Sequence, residues 1–160
     1  MLQPLRQGLP PLDPAAVSEA ASCALPARYE AVREARRFTR GTLDEWELGD
    51  RFDDVCLVVS ELVTNALRHA LPTASGRRTC ETGPAVRLHL MHWTERLVCA
   101  VRDPSQESPV ARDGTEDFAA ESGRGLFLVD SFSDSWGWHP LAGALGGKVV
   151  WALFRLRPAD

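Results

Sequence analysis

The sequence predicts an α+β fold: a two-layer sandwich with about three helices packed on one face of a mixed, mostly antiparallel sheet. Three observations predict it. Two long helical patterns come first, the hydrophobic period then changes from helical to alternating, and a short helical run finally separates two hairpin patterns. Helices gathered on one face of such a sheet bury the apolar sides of both layers. A chain of 160 residues is the usual size of one domain of this kind.

The helical patterns lie in the first half of the chain. Apolar spacing predicts an amphipathic helix from Ala27 to about Trp46. A second and stronger helix is predicted from about Leu48 to Ala70, and Pro72 ends it. Residues 1–21 hold four prolines and show little periodicity, so we expect a disordered or loosely ordered tail, with "SCALP" adding a short edge strand after it.

The strand patterns lie in the second half. "AVRLHLMHW" alternates apolar and polar residues, and "RLVCAVRDP" follows after a short turn, so the two predict a hairpin. "GRGLFLVDSF" predicts a third helix, and "SWGWHP" with "GKVVWALFRLR" predicts a closing hairpin. Trp136 and Trp138 share one face of the predicted strand, which favours packing over base stacking. Residues 104–122 are polar and weakly periodic, and a loop of that length is usually functional or disordered.

Composition disfavours several classes of function for this chain. A formal net charge of -4 gives no basic field for phosphate backbones, which disfavours nucleic-acid binding. The amino-terminal stretch has no apolar segment of the signal-peptide kind, and no run approaches the roughly 18 apolar residues of a membrane span. The four cysteines form no C-x-x-C pair, which is typical of reduced, mostly buried thiols. We therefore expect a cytoplasmic protein that binds neither nucleic acid nor membrane.

Four polar residues share one side of the predicted second helix. At about 100° per residue, Glu61, Asn65, Arg68 and His69 lie together, opposite the apolar residues of the same helix. The simplest interpretation is a solvated face. The alternative is a binding face, because a carboxylate can accept a proton from a hydroxyl and an amide oxygen can ligate Mg²⁺. We call these four residues the polar stripe.

Two apolar residues bear on that choice. Leu57 and Val58 flank the polar stripe rather than the predicted core face. Apolar neighbours of this kind indicate that a ligand or another protein covers this side of the helix.

A glycine turn and an aspartate suggest binding chemistry later in the chain. Gly123 and Gly125 precede an apolar helical run, where backbone N–H groups can meet an anion, although tight turns also use glycine for conformational reasons. Asp103 ends a predicted strand before Pro104. It can accept a hydrogen bond from an exocyclic amine such as that of adenine, or it can simply form a turn.

Taken in order, these segments resemble a known superfamily. "SELVTNALRHA", "VRDP", "ESGRGLFLVDSFSDSWGW" and "GGKVVWALF" are similar to the nucleotide-binding boxes of histidine-kinase-like ATPases. Within that superfamily, these segments look most like those of the small bacterial anti-sigma-factor serine/threonine kinases. The resemblance runs from about Ala24 to Leu156 and implies a histidine-kinase-like ATP-binding domain over residues 22–158.

The resemblance implies ATP and Mg²⁺ as cofactors and assigns roles to residues of this chain. Glu61 would be the general base, Asn65 would ligate Mg²⁺, and Asp103 would bind the adenine amine. Residues 104–122 would form the ATP lid. The remaining residues that would bind nucleotide are Arg68, His69, Gly123, Arg124, Gly125, Leu126 and Lys148, of which Lys148 could instead be exposed in a turn.

The resemblance also implies partners, with one departure from the family pattern. The partners would be a STAS-domain antagonist as phosphorylation substrate and a sigma factor, and a homodimer is allowed. Where the family has Asp-x-Gly-x-Gly, this chain has Asp103 followed by Pro104 and three further non-glycine residues. Proline fixes φ and removes an N–H, which affects lid closure. The alternative function is therefore a partner-sequestering module, with or without bound nucleotide, that lacks kinase activity.

Two other classes are disfavoured. A detached sensor-kinase domain acting on histidine would need an upstream dimerisation helix with an acceptor histidine, and none is evident. A metal hydrolase would need the four histidines to converge. His89 and His92 are three apart on a predicted strand and so point to opposite faces. The histidines considered for such a site are His69, His89, His92 and His139.

Overall fold

The computed structural model describes residues 6–7, 17–26, 28–70, 86–104, 126–141 and 147–156. The helices are α1, α2 and the seven residues of α3, and a short 3-10 turn precedes α2. Their bounds are Glu30–Glu45 for α1, Gly49–Arg51 for the 3-10 turn, Phe52–Ala70 for α2 and 126–132 for α3. The strands are β1 Arg6–Gln7, β2 Glu19–Leu25, β3 Val86–Trp93, β4 Arg96–Asp103, β5 Ser135–Pro140 and β6 Lys148–Arg155.

The strands form one sheet in the order β1-β5-β6-β4-β3-β2. Every neighbouring pair is antiparallel except β1 and β5, which pair in parallel through two residues. The prediction of a mixed, mostly antiparallel sheet is confirmed. The two central strands, β4 and β6, are joined along eight residue pairs, from Arg96 with Arg155 to Asp103 with Lys148.

The main core lies between the helices and one face of the sheet. Alternate strand residues such as Leu88, Val101 and Phe154 point into it, which the alternating pattern predicted. Helix α2 packs against α1 on one side and against β3, β4 and β6 on the other. Leu126 and Val129 bring α3 into the same core. Three helices therefore cover one face of the sheet, which confirms the predicted α+β sandwich.

The other face of the sheet carries a second apolar cluster. We call it the outer cluster; its buried members are Trp93, Val98, Ala100, Trp151 and Leu153. Trp151 has no exposed surface at all. Consecutive residues of β4 are consequently buried from Leu97 to Val101. The sequence pattern did not predict this cluster.

The ends of the helices differ from their predicted positions. Helix α1 begins at Glu30 rather than Ala27. It ends in two capping hydrogen bonds, from Glu47 N–H to the carbonyl of Asp44 (3.1 Å) and from Leu48 N–H to that of Leu43 (2.7 Å). Glu47 takes a positive φ of 61° there. This left-handed cap and the 3-10 turn after it delay the start of α2 to Phe52.

The predicted amino-terminal tail ends earlier than residue 21. Strand β2 begins at Glu19 and pairs with β3 over seven residues, so the predicted edge strand exists and is longer than expected. Cys23 and Leu25 of β2 face the main core, which favours pairing along the whole segment. Residues 1–5 and 8–16 of the predicted tail lie outside the described residues. In the described part of the chain, no helix is long and apolar enough to cross a membrane.

Candidate functional site

The polar stripe lies on α2 as predicted, one helical turn from Glu61 to Asn65 and another to Arg68 and His69. Glu61 and Asn65 are half-buried and Arg68 is exposed. The side chain of His69 lies outside the described residues. The suggestion that Val58 flanks the stripe is wrong, because Val58 is fully buried in the main core. Helix α2 is buried on two sides by α1 and by the sheet, so its apolar arc is wider than one face.

Asn65 has an unusual hydrogen-bonding state. Its side-chain Nδ2 is buried and has no hydrogen-bond partner among the described residues. A buried amide group without a partner costs free energy, and native structures rarely keep one without a reason. The unpaired Nδ2 is a donor, so it fits a site that a ligand with acceptor atoms completes, and the oxygen of the same amide belongs to the class of ligands that Mg²⁺ accepts.

Glu61 has a perturbed carboxyl group. Partial burial raises its pKa above the ordinary value, and the positive charge of Arg68, two turns along α2, opposes this rise. A carboxylate with a raised pKa takes up a proton more readily near neutral pH. Glu61 is therefore suited to act as a general base for a hydroxyl.

Asp103 and Lys148 form a buried ion pair at the end of the two central strands. Lys148 Nζ lies 3.1 Å from Oδ1 and 3.0 Å from Oδ2 of Asp103. The side chains are 0% and 1% exposed for Lys148 and Asp103, respectively. The alternative in which Lys148 is exposed in a turn is therefore wrong, and Asp103 is more than a surface turn residue. Antiparallel pairing places the two residues directly opposite each other.

Gly147 lies next to this ion pair, directly before Lys148. The sequence motifs did not identify it as a site residue. Its φ is +91°, and a Cβ at this position would collide with the carbonyl oxygen of Asp103 and approach Pro104. Its own carbonyl accepts a hydrogen bond of 2.8 Å from Leu141 N–H. Only glycine combines this φ with so close an approach at no steric cost. The Gly-Gly pair before β6 was the available signal.

The predicted phosphate-binding turn is only partly visible. Gly123, Arg124, Gly125 and residues 105–122 of the predicted lid lie outside the described residues. Leu126 is described, and its side chain is buried in the main core, so it can serve a ligand only through its backbone. Helix α3 is tied to β5 by a hydrogen bond of 3.0 Å from Trp136 Nε1 to Asp130 Oδ1. Both Trp136 and the half-buried Trp138 pack on the main core, as predicted.

The histidines of β3 separate as predicted. His92 stacks on Trp46, the C-cap residue of α1, with ring centroids 5.6 Å apart, so it lies on the helix side of the sheet. His89 lies opposite Ala100, a member of the outer cluster, on the other face. Among the described residues, no three or more His, Cys, Asp or Glu side chains are grouped so that they could hold a metal ion.

Comparisons with known proteins identify one matching domain family and similar solved structures. A sequence model of the histidine kinase-like ATPase domain matches residues 25–153. The crystal structure of the RsbU and RsbW domains of Rv1364c from Mycobacterium tuberculosis is similar, with a TM-score of 0.55 and 20% identity. The match covers 89% of this chain and 33% of that one, so this chain spans a third of its length.

The SiaB–SiaC complex from Pseudomonas aeruginosa is similar as well. The TM-score is 0.55 at 11% identity, over 87% of this chain and 90% of the matched one. At these identities, both structures establish the shared fold. No curated protein matches this chain.

Proposed function

This chain belongs to the histidine kinase-like ATPase domain family, and we propose that it binds ATP with Mg²⁺ and phosphorylates a serine or threonine of a partner protein. One observation carries the proposal. Glu61, with a raised pKa, and Asn65, with a buried Nδ2 that has no partner among the described residues, lie one turn apart on the same stripe of α2. This pairing supports the proposal, because it would set a base beside a ligand for the ion that serves the phosphates.

Each residue has a definite task in this proposal. Asn65 holds Mg²⁺ through its amide oxygen, and Asp103 accepts a hydrogen bond from the exocyclic amine of the base. When bound, Mg²⁺ neutralises charge on the phosphate oxygens. Glu61 accepts the proton of the attacking hydroxyl as the γ-phosphoryl group passes from ATP to that oxygen and ADP leaves. The raised pKa of Glu61 favours this acceptance.

The proposed partner is a STAS-domain antagonist, with a sigma factor as the sequestered protein. The sequence boxes resemble those of anti-sigma-factor kinases, and one structural neighbour was solved as a complex of two proteins, SiaB and SiaC. Both considerations support a protein rather than a small molecule as phosphoryl acceptor. With partners of this kind, we expect the protein to act in the cytoplasm.

A second candidate function is a nucleotide-binding module that sequesters a partner without transferring phosphate. Pro104, directly after Asp103, favours it. Pro104 lies where the family pattern supplies flexible glycine, and a Cβ at position 147 would come within 3.3 Å of its Cα. Nucleotide would then stabilise one partner-binding conformation.

Calorimetric titration with ATP, with and without Mg²⁺, tests nucleotide binding. We expect binding that requires Mg²⁺ and that Asn65→Ala weakens. Asn65→Asp is the matched control, because it keeps an oxygen ligand and should retain most of the Mg²⁺ dependence. No detectable binding at millimolar ATP would contradict the proposal.

A phosphate-transfer assay with a co-encoded STAS-domain protein separates the two candidates. If the chain is a kinase, radiolabel from ATP appears on a serine or threonine of that protein. Glu61→Gln should abolish the transfer and leave ATP binding intact. Mg²⁺-dependent ATP binding with no transfer to any co-encoded partner would support the sequestering module instead.

A further inference from the structure

The carboxylate proposed to meet the base is faced by a cation on one definite side. Lys148 Nζ is nearly equidistant from the two oxygens of Asp103, at 3.1 Å and 3.0 Å. An ammonium at equal distances lies across the open side of the carboxylate, between its two oxygens. That is the side on which a ligand with two parallel N–H donors has to bind.

Strand pairing fixes this arrangement. Asp103 and Lys148 are register partners at the last rung between β4 and β6. Gly147 brings the backbone before β6 against the carbonyl of Asp103. The position of the ammonium is therefore set by the sheet as well as by side-chain packing, and both side chains are buried.

Purine bases differ in what they present to such a carboxylate. Adenine offers one exocyclic amine donor, and the neighbouring ring nitrogen is an acceptor. Guanine offers two adjacent donors, the ring N–H and the exocyclic amine, which together need both carboxylate oxygens on their open side. A carboxylate has about four acceptor positions, and an ammonium across the open side takes the adjacent pair between the two oxygens, so two neighbouring donors can no longer bind there together.

We propose that Lys148 determines base specificity: by occupying the open side of Asp103 it admits adenine, with its single donor, and excludes guanine. This inference rests on the proposed function, since it assumes that Asp103 meets the base. Lys148 acts as a specificity-determining residue through Asp103, and it takes no part in phosphate transfer.

The test is a pair of titrations, Mg-ATP and Mg-GTP, on the full chain and on Lys148→Met. Wild type should prefer ATP by about tenfold or more, because guanine would leave one of its two adjacent donors without an acceptor. Lys148→Met opens the two-donor side, so this preference should shrink by about tenfold. Simple loss of packing would weaken both nucleotides alike and leave their ratio unchanged.

Two further variants control for the case in which Lys148→Met does not fold. Lys148→Arg keeps a cation across both oxygens and should keep the preference for ATP. The double variant Asp103→Asn with Lys148→Met removes both charges, so it avoids an unpaired buried charge and should fold. An asparagine amide can pair with the ring nitrogen and amine of adenine or with the oxygen and ring N–H of guanine, so the double variant should accept both bases and its preference for ATP should shrink.

The outcomes separate this inference from the proposed function. If wild type binds neither nucleotide, the proposed function fails. If wild type prefers ATP and both methionine variants keep the same ATP-to-GTP ratio, only the role of Lys148 is overturned. A reduced ratio in Lys148→Met, or in the double variant if Lys148→Met does not fold, supports the inference.

Discussion

Lys148 of β6 reaches both carboxylate oxygens of Asp103 at the end of β4, and neither side chain is exposed. Removing one member of a buried ion pair leaves a charge in a poorly solvated place. Lys148→Met should therefore lower the free energy of unfolding by about 3–5 kcal/mol. Urea denaturation of the nucleotide-free protein measures this loss.

The double variant Asp103→Asn with Lys148→Met is the control for that experiment. It removes both charges, so it should cost much less than Lys148→Met alone, and a double-mutant cycle then gives the coupling energy of the pair. A loss below about 1 kcal/mol in Lys148→Met would contradict the expectation, because it lies in the range of exposed pairs.

Glu61 should make stability depend on pH with a definite sign. Burial raises its pKa in the folded protein above the ordinary 4.5, so the folded state holds this proton more tightly than the unfolded state. The folded protein therefore loses stability as pH rises from about 4.5 through the raised pKa. Glu61→Gln lacks this loss and should be more stable than wild type at pH 7, with the difference vanishing below pH 4.5.

Urea denaturation between pH 4 and pH 8 would show this difference. Glu45→Gln is the matched control, because Glu45 is exposed at the end of α1 and its replacement should change stability by less than about 0.5 kcal/mol. If wild type were instead the more stable protein at neutral pH, the Glu61 carboxylate would be stabilised by its surroundings, contrary to its burial.

Two glycines should respond to alanine in opposite directions. Gly147→Ala places a Cβ against the carbonyl of Asp103 at a φ of +91°, so it should destabilise the protein by more than about 1 kcal/mol. Gly41 lies in α1, and a Cβ added there would meet nothing within 4 Å. Gly41→Ala should stabilise by about 0.5–1 kcal/mol, since alanine is the better helix former. Thermal unfolding compares the two, and equal effects would contradict the geometry.

Cys99 should react with thiol reagents only when the protein unfolds. Burial raises its pKa to about 12, so almost no thiolate exists at pH 8. Cys23, half-buried on the edge strand β2, should be labelled well before Cys99. Mass spectrometry of labelled peptides over time distinguishes them. Labelling of Cys99 in the native state at the rate of Cys23 would show that the centre of β4 opens locally.

Much of the fold could be predicted because each element has a simple hydrophobic period. The alternation in β3 and the apolar runs of β4 and β6 gave these strands to within a residue or two. The side-by-side placement of Glu61 and Asn65 followed from helical geometry alone. The end of α1 could not be predicted in this way, because its left-handed cap uses Glu47 where glycine is the usual signal.

The ion pair of Asp103 and Lys148 could not be predicted from the chain order. The two residues are 45 positions apart, and a lysine at the start of a strand is ordinarily solvated. Only the register between β4 and β6 brings them opposite each other. Gly147 was missed for the same reason, since its collision partner is the backbone of another strand.

The outer cluster changes how the sheet should open. Because Trp151 and Val98 are buried on the face away from the helices, β4 and β6 have apolar contacts on both sides as well as a strand on each edge. Their backbone amides should exchange with deuterium only through global unfolding, while those of the edge strand β2 exchange through smaller openings. Among the described residues, the pair of strands that carries Asp103 and Lys148 should thus exchange most slowly, and the proposed base site is built on this pair.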